Sequence, residues 1–236
     1  MPNSSRKMVI PVSRTPSPWI TVAVSAAFVV LFFASTRLAA QMVEVPVTIP
    51  AVGALTESVV EAGAAEFVTH DFDWFDTARN RAVPVRLYLP AQTAPAQTLP
   101  LVVFSHGMGG SRRGYSYLGA YWASHGYASL HLQHVGSDRS LWTGNPFGLV
   151  GRLQLAAKED EAIARVGDLR FALDQILADK EMGSRIDAGR IVAAGHSYGA
   201  NTVMLALGAR IERQDQIIDL VEPRLRAAVL LSAPPF

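Results

Sequence analysis

Ser197 stands at the centre of Gly195-His196-Ser197-Tyr198-Gly199, a G-x-S-x-G pattern. The four residues from Ile191 to Ala194 are small or branched and apolar, which predicts a buried strand, and Ala200 to Ala209 predicts a helix. A serine on the tight turn between a strand and a helix projects its hydroxyl clear of the sheet edge. Glycines two residues to either side lack a Cβ, so the turn can close and the helix can pack on neighbouring strands. The chemistry available to such a serine is acyl transfer: its hydroxyl attacks an ester carbonyl and holds the acyl group until an acceptor takes it. The hydroxyl is a weak nucleophile alone and needs a histidine base oriented by a carboxylate. A glycine-rich turn carrying an ordinary serine is the alternative.

The tetrahedral intermediate needs backbone donors aimed at its oxyanion. The N–H of Tyr198, next after the serine, supplies one, and the second comes from the loop after an earlier strand. Leu101-Val-Val-Phe-Ser105 reads as that strand and His106-Gly107-Met108-Gly109-Gly110 as its exit, with Met108 the candidate donor. Losing one such donor costs about 3 kcal/mol of transition-state stabilisation. Gly107, Gly109 and Gly110 are expected to leave the backbone free to approach substrate, with a flexible loop as the alternative. His106 belongs to this turn and His196 to the elbow, and both read as structural. His70, His125 and His131 read as core or surface residues, which leaves His134 as the loop histidine with a claim to act as base.

These groups must be held by a scaffold, and the pattern of elements indicates which. Phe67–Phe75 and Ala82–Pro90, joined by the polar Thr77-Ala-Arg-Asn-Arg81, predict an antiparallel hairpin at a sheet edge, where Pro84 is tolerable. Leu101–Ser105 is a continuous apolar run, as expected of a strand covered on both faces. Tyr115–His125 predicts a helix whose Tyr115, Leu118, Tyr121 and Trp122 share a face for packing. The next strand lies within Gly126–Leu132, and a polar, glycine-rich connection runs from His134 to about Gly151 as part of the wall over the site. Trp142 and Phe147 on it either line the site or tuck the loop onto the core. Lys158–Asp179 predicts a long amphipathic helix that opens on a solvated charge run, and Ala227–Leu231 a last buried strand. Strands alternating with helices at this spacing define an α/β fold with a mainly parallel sheet. His106-Gly107-Met108 and Ser197 both follow strand ends, where such sheets gather their functional groups.

Composition narrows the classes further. The chain has 236 residues, 17% of them charged, and a net charge of +1, which gives no electrostatic argument for nucleic acid or an acidic partner. There is no cysteine, hence no disulfide framework or thiolate site. No H-x-x-x-H pair falls on a predicted helix, so no metal is expected. Arg6, Lys7 and Arg14 precede sixteen uncharged residues, Trp19–Ala34, and Leu38-Ala39-Ala40 supplies small residues before Gln41. That is the layout of a secretory signal in residues 1–40, predicting a periplasmic or secreted protein. An inner-membrane anchor over residues 19–34 is the alternative, although a full span takes about twenty. Residues 41–65 read as a linker or edge segment.

Phe104-Ser-His-Gly-Met-Gly-Gly-Ser, Gln133-His-Val-Gly-Ser-Asp and Gly195-His-Ser-Tyr-Gly-Ala-Asn together resemble the α/β-hydrolase superfamily. More narrowly, they resemble the bacterial dienelactone-hydrolase-like and platelet-activating-factor-acetylhydrolase-like proteins, over roughly residues 65–236. Dienelactone hydrolases proper use a cysteine nucleophile, so a serine at 197 points to ordinary esters. The resemblance implies Ser197 as nucleophile, Met108 and Tyr198 as oxyanion donors, a small or lipid-like ester as substrate, and no cofactor. The family order is serine, acid, histidine, yet none of the 39 residues after Ser197 is histidine. Asp215 and Asp219 precede the last strand, at the wrong end of the sheet, and Ser232 falls where some relatives carry the acid. Residues 66–236 are therefore expected to be a partial α/β-hydrolase domain, truncated after the strand that follows the nucleophile helix and inactive alone. The rival classes are a non-catalytic hydrolase-like binding protein and an acyltransferase.

Overall fold

A computed structural model of the protein describes residues 67–92, 97–213 and 216–234. The expected export segment and the 41–65 linker lie outside them. Strand β1 (Phe67–Asp76) turns at Thr77–Asn80 and pairs antiparallel with β2 (Arg81–Pro90) along its whole length. β3 (Leu99–Ser105), β4 (Ala128–Leu132), β5 (Ile186–His196) and β8 (Leu225–Leu231) complete a sheet of order β1-β2-β4-β3-β5-β8. β4, β3, β5 and β8 run parallel, and β2 joins β4 antiparallel. This mixed, mainly parallel sheet is the predicted architecture.

The alternation of side chains along β3 divides the core. Leu101 and Val103 face a large apolar cluster with Val85, Leu87, Leu130, Leu132, Ile191 and Ala193. Helix α3 (Glu159–Ala178) covers that cluster with Val166, Leu169, Leu173 and Ile176, and α4 (Tyr198–Ala206) adds Val203 and Ala206. Val102 and Phe104 face the other way, onto Ala194 and helix α1 (Ser116–Ser124), through Tyr115, Leu118 and Trp122. Most of the predicted aromatic stripe is thus packing, while Tyr121 is exposed. Full burial of a side chain the size of Leu or Phe stabilises by about 1.5–3 kcal/mol, so a strand covered on both faces is held from both sides.

Several expectations need correction. The connection after β4 is a structured segment rather than an open polar loop: Asp138 and Asn145 cap 3-10 turns at Arg139–Trp142 and Pro146–Gly148, and α2 (Leu149–Ala156) follows. Short polar caps start these turns by accepting backbone N–H groups, which a reading of apolar periodicity misses. α4 ends at Ala206 rather than Ala209, because Gly208 takes φ +110° and leads out of the helix. A two-strand hairpin, β6 (Ile211–Arg213) and β7 (Gln216–Ile218), follows it. The last strand forms but is not buried: β8 is the sheet edge among the described residues, and Val229 and Leu230 are each 43% exposed. The charge run opening α3 is also not simply solvated, since Glu161 receives both terminal nitrogens of Arg81 (3.1 and 3.0 Å).

Candidate active site

Ser197 closes β5 and caps α4 with φ 52° and ψ −121°, a conformation L-residues enter only under constraint. The constraint is visible on both sides. Its N–H donates to Leu231 O (2.9 Å), and its carbonyl accepts from Ala200 N (2.8 Å) and Asn201 N (3.3 Å). A Cβ on Gly195 would overlap the Gly199 carbonyl, and one on Gly199 would overlap the Ser105 carbonyl. Both glycines are therefore required by close backbone approach. Tyr198 is the first residue of α4, so its N–H has no intrahelical acceptor.

The turn after β3 lies against this elbow: a Cβ placed on Gly107 would be 3.3 Å from Ser197 Cβ and 3.2 Å from the His196 carbonyl. The Gly107 carbonyl accepts from Gly110 N (3.1 Å) and pairs with His106 Nδ1 (2.6 Å). A trans peptide points its C=O and N–H in opposite directions. Fixing the Gly107 carbonyl therefore aims the N–H of Met108, which has no backbone acceptor among the described residues. His106 Nδ1 must donate to that carbonyl, and its Nε2 accepts from His134 N (3.0 Å), so the ring is a neutral imidazole. Burial, with Arg165 nearby, holds its pKa well below the ordinary histidine value.

Two other glycines of the turn have a role different from the expected one. The space a Cβ on Gly109 would need holds the Trp142 indole, whose Nε1–H donates to Gly109 O (3.0 Å), and the space beside Gly110 holds the His106 ring. They admit packing, not substrate. Gly109 N donates to Ser137 O (2.8 Å) and Arg139 N to Gly110 O (2.7 Å), tying the turn to the segment after β4. Trp142 is thus anchored beside the turn at 59% exposure, while Phe147 stands 95% exposed and is not tucked onto the core.

The Ser197 hydroxyl pairs with none of the six histidines. His196 Nδ1 meets the Tyr115 hydroxyl (2.7 Å), and His131 Nε2 the Ser129 hydroxyl (3.1 Å). His125 Nδ1 meets Tyr121 O (2.7 Å), and His70 lies on β1 beside Phe72. His134 is fully buried and oriented away from any role as base to Ser197: Nε2 meets Ser105 Oγ (2.9 Å) and Nδ1 meets Asp168 Oδ2 (3.0 Å). Asp219 caps its own turn through Val221 N (2.9 Å) ahead of β8, and Ser232, just past β8, is exposed with φ 50°. Asp215 lies outside the described residues. No cluster of ligand side chains suited to a metal ion occurs among the described residues.

Behind the site is a buried polar array that periodicity did not single out. Asp168, fully buried, accepts from Arg79 Nη1 (2.9 Å), Arg81 Nε (2.8 Å) and Arg81 Nη2 (3.0 Å) besides His134. Arg165, one turn earlier on α3, is equally buried. Its guanidinium donates to Thr202 Oγ1 (2.8 Å), Ser137 Oγ (2.8 Å), Ser105 Oγ (3.1 Å) and the carbonyl of His106, and stands 4.5 Å from the Tyr198 ring centroid. The available signal was two charged residues, Arg165 and Asp168, interleaved with Val166 and Leu169 on the apolar side of an amphipathic helix.

A central parallel sheet, a strained serine between strand and helix, and a glycine turn at the adjacent strand end define an α/β-hydrolase. The chain belongs to the family of platelet-activating factor acetylhydrolase, isoform II, whose model matches residues 21–145, including the Gly107–Gly110 turn. It is 27% identical over 160 residues to the platelet-activating factor acetylhydrolase of Cavia porcellus, over 53% of this chain and 35% of that protein. The chain thus spans about a third of that relative's length. Solved structures similar to it include a ferulic acid esterase from Streptomyces cinnamoneus (24% identity, 61% of this chain and 56% of that chain, TM-score 0.48). Another is a dienelactone hydrolase from Anabaena variabilis (15% identity, 58% of this chain and 56% of that chain, TM-score 0.41). Of the two resemblances read from the sequence motifs, the family model matches the acetylhydrolase one.

Proposed function

We propose that the full-length protein is an exported serine esterase that cleaves a small or lipid-like carboxylic ester through an acyl-enzyme. The observation that carries this is the meeting of the strained Ser197 with the Gly107–Met108 turn. Among the described residues the N–H groups of Met108 and Tyr198, on the two segments that meet at the half-buried Ser197, have no backbone acceptor. In this reading Ser197 Oγ attacks the ester carbonyl, the two N–H groups take the oxyanion, the alcohol leaves, and water releases the acid. The sequence of events needs no cofactor. The name of the Cavia porcellus relative, an acetylhydrolase, fits the reaction class. All six histidines of the chain have other positions or partners, and none of them serves as the base in this reading.

The test is pre-steady-state hydrolysis of p-nitrophenyl acetate by the full-length protein. Rapid release of one nitrophenol per protein before the steady state is the expected result, and Ser197→Ala should abolish the burst and lower kcat by about 10⁴-fold or more. Equal turnover in wild type and Ser197→Ala would reject the reading. Nitrophenol release that rises with an added alcohol, with ester as the product, would move the assignment to acyl transfer.

A further inference from the structure

We propose that Arg165 is the positioning residue of the site: its guanidinium holds the oxyanion turn in register with the nucleophile elbow. The inference rests on the esterase reading above and deepens it.

Three chain segments must stay in place for the two N–H groups and the hydroxyl to converge. These are the end of β3 with its turn, the segment after β4, and the first turns of α4. Arg165 reaches all three from behind. One terminal nitrogen holds Ser105 Oγ and the His106 carbonyl, the other holds Ser137 Oγ, and Nε holds Thr202 Oγ1 on α4. Ser137 is itself the residue whose carbonyl accepts from Gly109 N (2.8 Å). Thr202 also donates to Tyr198 O (3.1 Å), and the guanidinium packs against the Tyr198 ring. The His106 carbonyl belongs to the peptide immediately before the one that presents Met108 N–H. A single planar group with five donors therefore sets the spacing between both oxyanion donors.

The charge is fully buried, and no carboxylate forms an ion pair with it among the described residues. Two hydroxyl relays connect it to acids instead. Ser137 Oγ donates to Glu161 Oε1 (2.8 Å). On the other side the Ser105 hydroxyl donates to His134 Nε2, and His134 Nδ1–H donates to Asp168. Ser105, His134 and Asp168 have the connectivity of a catalytic triad, but all three are buried and Ser105 Oγ is occupied by Arg165, so they serve here as a support. A buried cation held by four oxygens on three segments is costly unless each is in place, which makes the arrangement rigid. Lysine offers one compact ammonium and cannot span these acceptors together.

The experiment uses the full-length protein with Arg165→Lys and, separately, Thr202→Val, which cuts one strut and leaves the cation in place. Each is checked for folding by circular dichroism and melting, then measured for kcat and KM on p-nitrophenyl acetate and for the rate of Ser197 phosphonylation. Arg165→Lys is expected to lower kcat and phosphonylation together by about 10²-fold, the effect of misplacing one oxyanion donor, with KM within about threefold of wild type. Thr202→Val should lower both by about tenfold, the equivalent of one hydrogen bond to a charged group. Folded variants with wild-type kcat overturn the proposal. If Arg165→Lys does not fold, Thr202→Val decides alone, and wild-type rates there overturn it equally. A wild-type protein that fails to react at Ser197 overturns the esterase reading and this proposal with it, an outcome distinct from variants that match an active wild type.

Discussion

Asp168 shows how much one buried side chain can carry. Burial pushes its carboxyl above the ordinary range, while Arg81 and Arg79 oppose that shift by pairing with it. Its two oxygens receive four donors, three from arginines of the turn and β2 and one from His134. Asp168→Asn keeps the shape but leaves Arg79 and Arg81 facing a neutral amide, and turns one acceptor oxygen into a donor. Removing one partner of a buried charge pair costs about 3–5 kcal/mol. Urea unfolding of this variant should show a loss of that size with an unchanged m-value, whereas a loss below about 1 kcal/mol would mean that the carboxylate is dispensable. Residues of this kind explain what the amino-acid sequence concealed. Ser197, Met108 and Tyr198 sit in local patterns whose spacing implies a turn, and the structure brings their backbone together. Arg165, Asp168 and His134 meet only because α3 packs across the ends of β3 and β4. No spacing along the chain encodes that meeting.

At the scale of elements, legibility followed the length and purity of the apolar pattern. β3 and α3 lie within two residues of their sequence-read limits, because each is a long run that must be covered. The hairpin β1–β2 was equally legible from its polar turn. α2 and the 3-10 turns before it were not, because side-chain caps and local backbone bonds form them, and these are short polar signals lost in a Gly-rich stretch. Ala-Ala-Val-Leu-Leu predicts a buried strand, but burial belongs to neighbours rather than to the strand, and β8 has β5 as its partner on one side alone among the described residues. β8 still serves the site: its Leu231 carbonyl receives Ser197 N–H and so helps hold the serine in its strained conformation.

For the whole molecule, burial of neutral histidines sets a pH dependence. Desolvation holds His106 and His134 well below the ordinary value and pushes His131 down to about 3. In the unfolded chain the same rings titrate near 6.5, so below that pH the unfolded state binds protons that the folded state refuses. Their stabilising contribution is complete above about pH 7.5 and is lost as pH falls, with a slope approaching 1.4 kcal/mol per pH unit for each ring, about 4 kcal/mol per unit for all three. Chemical denaturation between about pH 7.5 and 5 should show this decline, over a range in which carboxyls of ordinary pKa stay ionised. Stability that stays flat over that range would contradict the neutral, hydrogen-bonded assignment of His106 and His134, and with it the aim given to Met108 N–H.

We propose that Ser197, held strained against the Gly107–Met108 turn, is a nucleophile in the full-length protein. The most direct measurement is reaction with a fluorophosphonate followed by peptide mass mapping. A single phosphonyl adduct is expected, on the peptide containing Gly195-His196-Ser197-Tyr198-Gly199, absent in Ser197→Ala and absent from the buried Ser105. A full-length, folded protein that carries no adduct at Ser197, or that carries one at another serine, would contradict it.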